Sequence, residues 1–249
     1  MGIQHTVFFE SGLHEHNQKT SHGITTLVSE VEHFYQNNRF PGEYDDIEGV
    51  EHNPFVKSIL DNIPKDAKWS VLDAGCGSGM IANRIAELRP NIRIDAIDIS
   101  QPSLDIGEKY AMAHHLDNIN FRNYDLLDWQ HEDHDFVYSM GVLHHIPNES
   151  LAIEKYKYFT ANWGKLMLAV YNPYWKFAQK IVGRFISWPN ETLREDQMDH
   201  PFERSYTQKQ LTKLFQDYTV TKVVQGKDNL RNGGLTLYDI KYNTNKKVW

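Results

Sequence analysis

Nine consecutive residues carry the densest chemical information in the chain: Val71-Leu72-Asp73-Ala74-Gly75-Cys76-Gly77-Ser78-Gly79. Glycines at alternate positions after an apolar run let the backbone bend sharply and approach a ligand with no Cβ in the way. A helix beginning next to them presents unsatisfied N–H groups, which suit a carboxylate or a phosphate. A dinucleotide loop requires Gly-x-Gly-x-x-Gly, which from Gly75 would set the third glycine where Met80 stands. The third glycine is Gly79, and Asp73 precedes the first by two residues. This spacing argues against a nicotinamide dinucleotide and for a ligand with an amino-acid tail.

Two further acids follow apolar runs. Asp98 comes 19 residues after Gly79 and ends the run Ile92–Ile97, a position from which a carboxylate can accept both hydroxyls of a ribose. Asp125-Leu126 follows Ile119–Tyr124, with Asp128 as a competing acid.

The Asp-x-Gly-x-Gly-x-Gly run at Asp73–Gly79 resembles the first motif of the class I, Rossmann-like, S-adenosylmethionine-dependent methyltransferases. The resemblance implies S-adenosyl-L-methionine as cofactor. It implies that Asp73, Ala74, Gly75, Cys76, Gly77 and Gly79 hold the methionine portion, with Asp73 orienting the loop or the cofactor's amino group. It also implies that Asp98 binds the ribose, that Ile99 packs on the adenine, and that Asp125 and the Leu126 N–H meet the adenine edge. The run Phe136–Ser139 continues into Met140-Gly141-Val142-Leu143-His144-His145-Ile146-Pro147, which resembles the family's fourth region. Ser139, Met140 and Gly141 are expected to form the wall beside the methionine and methyl.

Methyl transfer is an in-line displacement, in which the protein chiefly supplies orientation. A hydroxyl or protonated-amine nucleophile also gains from a general base. His144 and His145 are the candidates, since imidazole can take a proton near neutrality; the competing role for both is packing or capping at a helix start. Tyr171-Asn172-Pro173-Tyr174 resembles the Asn-Pro-Pro-Tyr signature of enzymes methylating exocyclic base amines. It lacks the second proline and follows the fifth apolar run instead of the fourth, so it is taken as coincidence.

The elements that must position these residues alternate. Apolar runs at Ser70–Asp73, Ile92–Ile97, Ile119–Tyr124, Phe136–Ser139 and Leu166–Tyr171 are separated by helical segments at Met80–Leu88, Pro102–His114 and Ser150–Asn162. Such alternation predicts a doubly wound α/β fold with a parallel sheet. Thr219–Val224 and Leu235–Tyr242 read as an antiparallel pair closing one edge, giving seven strands with the last one reversed. Residues 1–63 are expected as an N-terminal cap with one amphipathic segment, where Leu27, Val28, Val31, Phe34 and Tyr35 recur at helical spacing. Residues 64–249 are expected as the Rossmann-like domain, with an aromatic lid insertion at 173–216. In the resembled family such segments set substrate identity, so Tyr35, Tyr44, His144, Tyr171, Tyr174, His200 and Arg204 are expected to line the acceptor pocket.

Composition narrows the partners. With 249 residues, 40% hydrophobic and 24% charged, the chain has the makings of one good core. The net charge of −7 and the lack of a Lys/Arg run lower the prospect of a nucleic-acid partner. No run reaches the length of a membrane span, no secretory signal is seen, and the single Cys76 suits a reducing cytoplasm. No metal site is expected, since paired Cys spacing and a His-Glu-x-x-His motif are both missing. The expectation is a cytoplasmic methyltransferase acting on an O, N or C nucleophile of a small molecule. The alternatives are a macromolecular acceptor and a non-catalytic cofactor-binding module; the oligomeric state is left open.

Overall fold

A computed structural model describes residues 26–131, 134–173, 201–225 and 234–243. Strand β1 (Ser70–Ala74) is buried at Val71, Leu72 and Ala74. Strands covered on both faces are apolar throughout, and β1 has parallel neighbours on both sides. It pairs with β2 (Arg93–Asp98) through Ala74↔Ile97 and with β4 (His134–Met140) through Asp73↔Tyr138. With β3 (Ile119–Asn123), β5 (Thr160–Tyr171), β6 (Tyr218–Gln225) and β7 (Leu235–Tyr242), the order is β3-β2-β1-β4-β5-β7-β6. Strand β7 runs antiparallel to both β5 and β6. The seven-stranded sheet with its last strand reversed is therefore as expected.

Helix α1 covers residues 26–37. It is followed by α2 (Pro54–Asp61), α3 (Met80–Leu88), α4 (Gln101–Ala113), α5 (Glu149–Phe159) and α6 (Gln208–Leu214). Alternate strand residues face opposite ways, so the sheet has two cores. Val71, Ile94, Phe136 and Met167 meet Phe55 and Ile59 of α2 and Ile85 of α3 on one face. Leu72, Val137, Leu168 and Ile240 meet Ile153 and Phe159 of α5 and Leu211 of α6 on the other. Helix α2, within the stretch expected as a cap, thus belongs to the core. Helix α5 ends at Phe159 and the chain enters β5 at Thr160, three residues short of the expected helix. Among the described residues no helix is long and apolar enough to cross a membrane.

β1 is where the strand order turns back on itself, and in open α/β sheets ligands bind at the carboxyl ends beside such a point. Helix α4 comes close to this end because Gly107 has no side chain: a Cβ there would lie 2.6 Å from the Phe121 ring and 2.8 Å from the Ser78 carbonyl. An ordinary helical Gly→Ala change stabilises by up to about 1 kcal/mol. Gly107→Ala is expected to have the opposite sign, destabilising by about 1–3 kcal/mol through overpacking, as measured by urea unfolding.

Candidate functional site

The glycine loop is shaped by its neighbour strand. The N–H groups of Gly75 and Cys76 both donate to the Ile97 carbonyl, at 2.8 and 2.9 Å. The Gly77 N–H donates to Asp98 Oδ2 at 2.8 Å, and the Ser100 N–H to Asp98 Oδ1 at 2.9 Å. Asp98 therefore holds two backbone turns at once. Gly77 has φ +55, and a Cβ on it would run into the Phe40 carbonyl, which accepts the Ser78 N–H at 2.8 Å. Only glycine meets both conditions. Helix α3 starts directly after Gly79.

Three acids come to the carboxyl ends of β1, β2 and β3. Asp73 is 3% exposed; burial, with Asp98 adding to it and the Tyr138 hydroxyl opposing, pushes its carboxyl up to about 8. Burial also raises Asp98, against the pull of the N–H groups of Ser100, Gly77 and Ile99. Asp125 accepts from the Leu127 N–H at 2.8 Å and is raised by burial first, then by Asp128 and by Glu32 of α1. Leu126 is buried in the second core. Asn123 ties the tips of β2 and β3 together, donating to the carbonyls of Asp98 (3.2 Å) and Ile99 (2.9 Å).

Helix α1 and the chain after it cross this end of the sheet. The Gln36 side chain donates to the Ile99 carbonyl at 2.5 Å, and the Ser100 hydroxyl donates to the Tyr35 carbonyl at 2.7 Å. Burial, Tyr171 and Asp98 raise the Tyr35 phenol above the usual tyrosine range, and its ring meets His145 edge-on at 5.8 Å. Tyr44 lies elsewhere: its hydroxyl donates to the Ser78 carbonyl (2.6 Å), accepts from Asn83 (2.9 Å), and its ring packs on Tyr110. It anchors the segment behind the glycine loop.

The strand tips of β4 and β5 bring together another group. Ser139 is buried, its hydroxyl engaged with the Ala74 carbonyl (2.6 Å) and the Tyr156 hydroxyl (2.8 Å), so it joins β1, β4 and α5. Met140 is half-buried, and around Gly141 (φ +83) there is open space. His144 and His145 lie in a short 3-10 turn, both buried. The His144 ring packs on Tyr171 at 3.9 Å, and its Nδ1 accepts from the Tyr171 N–H at 3.4 Å. His145 Nδ1 lies 3.0 Å from the Phe202 carbonyl. A carbonyl only accepts, so Nδ1 carries the proton and the neutral ring keeps its lone pair on Nε2. His145 thus has the tautomer of a base, whereas His144 presents an acceptor to the backbone.

Residues 201–207 return against the same end. The Arg204 N–H donates to the His144 carbonyl (2.8 Å), and its guanidinium donates to the Pro147 carbonyl (2.9 Å), pairs with Glu149 (3.5 Å) and covers Phe202. Arg204 is therefore engaged within the fold. The Tyr206 N–H donates to the Tyr171 carbonyl at 2.7 Å. Tyr171 ends β5 and Asn172-Pro173 follow, so the described part of the tetrapeptide lies at the end of the fifth strand and not the fourth. Tyr174 and His200 lie outside the described residues. Gln36, Asn123 and Tyr138 escaped the sequence reading, because the residues they meet, Ile99, Asp98 and Asp73, lie far from them in the chain.

A parallel sheet with one reversed strand, a glycine loop on β1 and acids on the next two tips defines a nucleoside-binding α/β fold of the methyltransferase kind. The chain belongs to the methyltransferase-domain family, whose model matches residues 65–219, among the class I enzymes that use S-adenosylmethionine. A release factor glutamine methyltransferase of Coxiella burnetii is 46% identical over 71 residues, 28% of this chain and 26% of that one. A ubiquinone biosynthesis O-methyltransferase of Coxiella burnetii is 28% identical over 139 residues, 53% of this chain and 58% of that one. The chain thus spans between about a quarter and three-fifths of the length of these curated relatives. Magnesium protoporphyrin IX methyltransferase (ChlM) from Synechocystis PCC 6803, solved with SAH bound, shares the fold at 15% identity and TM-score 0.61, covering 88% of this chain and 95% of that one.

The raised Asp73 carboxyl has a consequence for folding. Its folded value of about 8 exceeds the ordinary 3.8, so its stabilising contribution is complete below about pH 4 and is lost as pH rises to about 8. Urea unfolding of Asp73→Asn across this range is expected to show the variant gaining on the wild type from about pH 4 to pH 8, with the difference level above.

Proposed function

We propose that the chain transfers the methyl group of S-adenosylmethionine to an O, N or C nucleophile of a small molecule. The observation that carries the cofactor part is Asp98, whose carboxylate binds the glycine loop and the start of α4 together. Each of its oxygens retains acceptor capacity for a ribose hydroxyl. Asp73 is the acid for the cofactor's ammonium, Asp125 and the Leu126 N–H are the groups for the adenine edge, and Ile99 is the apolar contact. Ala74, Gly75, Cys76, Gly77 and Gly79 supply the backbone for the methionine portion, and Met140 and Gly141 the wall beside the methyl. Ser139 serves from behind, holding β4 to β1. When bound, the cofactor supplies an electrophilic methyl on a sulfonium; the protein's part is to hold the acceptor in line with it.

Aromatic side chains with a few polar groups among them suit a small, partly apolar acceptor. Tyr35, Tyr171 and His145 converge at the strand tips, and helix α1 and residues 202–206 both lie against that end. His145 is the base of choice where the nucleophile carries a proton. The likeness to a ubiquinone O-methyltransferase supports the same reading, and the lone Cys76 suits a reducing cytoplasm. A protein acceptor is the second reading, favoured by the 46% identity with a release factor glutamine methyltransferase.

Incubation with methyl-labelled cofactor and fractionated cell metabolites is expected to place the label in low-mass products; label retained on acid-precipitated protein or RNA would favour the second reading. Binding with no turnover on any fraction would leave a cofactor-binding module. Asp98→Ala is expected to weaken cofactor binding about 100-fold, the loss of two hydrogen bonds to a charged group at roughly 1.5 kcal/mol each.

A further inference from the structure

Tyr138 is fully buried on β4, on the sheet face packed against α2 and α3. It belongs there to an apolar cluster that includes Phe55, Ile59, Val71 and Ile85, and its ring lies 6.1 Å from that of Phe136. A buried hydroxyl in such surroundings costs free energy unless it meets a polar partner, and for packing alone phenylalanine would serve. Among the described residues no hydrogen bond engages the Tyr138 hydroxyl, and the polar residue that the register sets directly beside it is Asp73 of β1. Both alternate onto the same face, next to the first glycine of the loop. Burial and the neighbouring Asp73 keep the phenol protonated, so it is a donor throughout the accessible pH range. Among the described residues no hydrogen bond reaches the Asp73 carboxyl, which remains a sparsely solvated acid at the edge of the cofactor loop.

We propose that Tyr138 is a positioning residue for the cofactor: as the cofactor binds, its hydroxyl donates to the Asp73 carboxylate, favours the ionised form and keeps it aimed at the cofactor's α-ammonium. The inference rests on the placing of Asp73 in the cofactor site proposed above. Its physical basis is that a hydrogen bond to the charged form favours that form. Without the phenol, Asp73 keeps its proton to higher pH, and the ammonium must displace that proton in order to bind. The packing of the ring is unchanged in Tyr138→Phe, so the consequence falls on one charge contact and not on the nucleoside half of the site.

The test is calorimetric titration of wild type, Tyr138→Phe, Asp73→Asn and the double variant with S-adenosylhomocysteine between pH 6 and 9. Methylthioadenosine, which has the nucleoside and no amino-acid tail, is titrated in parallel. Tyr138→Phe is expected to lower affinity for S-adenosylhomocysteine about tenfold near pH 7, the size of one pKa unit. It is also expected to move the rising limb of affinity against pH upward and to leave methylthioadenosine unaffected. In the Asp73→Asn background the same change is expected to do nothing more. Equal weakening toward both ligands, an unmoved pH profile, or full additivity in the double variant would overturn the proposal and leave the cofactor site standing. Failure of the wild type to bind either nucleoside would overturn this proposal together with the reading beneath it.

Discussion

The Asp98 carboxylate is the group on which the geometry of the site depends. One oxygen takes the Gly77 N–H and the other the Ser100 N–H, so a single side chain fixes the bend after β1 and the entry to α4. The parallel register Ala74↔Ile97 sets the two strand tips level, and the Ile97 carbonyl takes up the N–H groups of Gly75 and Cys76. With the loop so bound, its next residues lead straight into α3, and the bare Gly77 admits the Phe40 carbonyl from the N-terminal segment. The covering of the site is thereby tied to the same bend that forms its floor.

Electrostatics adds a second constraint. Asp73, Asp98 and Asp125 lie at or just beyond strand tips, and burial raises each of them from its ordinary value. Gathering sparsely solvated acids costs stability, and Asp98 makes Asp73 harder to ionise. A ligand bearing positive charge reverses that relation, because an opposite charge close to a carboxyl favours its ionised form. A sulfonium nucleoside with an ammonium tail fits such a site better than a pyrophosphate would. This agrees with the Gly-x-Gly-x-Gly spacing, which departs from the dinucleotide loop.

Much of this was legible in the residues alone. Apolar runs separated by helical segments gave the strand sequence, since parallel strands buried on both faces must be apolar throughout; helix Met80–Leu88 and strand Leu235–Tyr242 have the bounds expected of them. Asp73, Asp98 and the glycines were visible because strand-end chemistry is local in sequence. Side-chain direction was not. Ser139 and Tyr44 were expected to line the site, yet their hydroxyls close hydrogen bonds inside the fold, and Arg204 is taken up by Pro147 and Glu149. Which of the two histidines carries the tautomer of a base also depended on long-range partners: the Phe202 carbonyl that fixes the tautomer of His145 lies 57 residues away. The run of helix expected to Asn162 ended early because Thr160 enters the pairing with β4 at His134. In that case tertiary pairing overrode a local periodicity.

The central claim is that the bend after β1 and the acid ending β2 grip one sulfonium nucleoside between them. A crystal structure of the protein with S-adenosylhomocysteine tests it most directly. Both ribose hydroxyls are expected on the Asp98 carboxylate, with the amino-acid tail along Gly75–Gly79 beside Asp73. A nucleoside seated away from these two strand tips, or one whose ribose leaves Asp98 untouched, would contradict it.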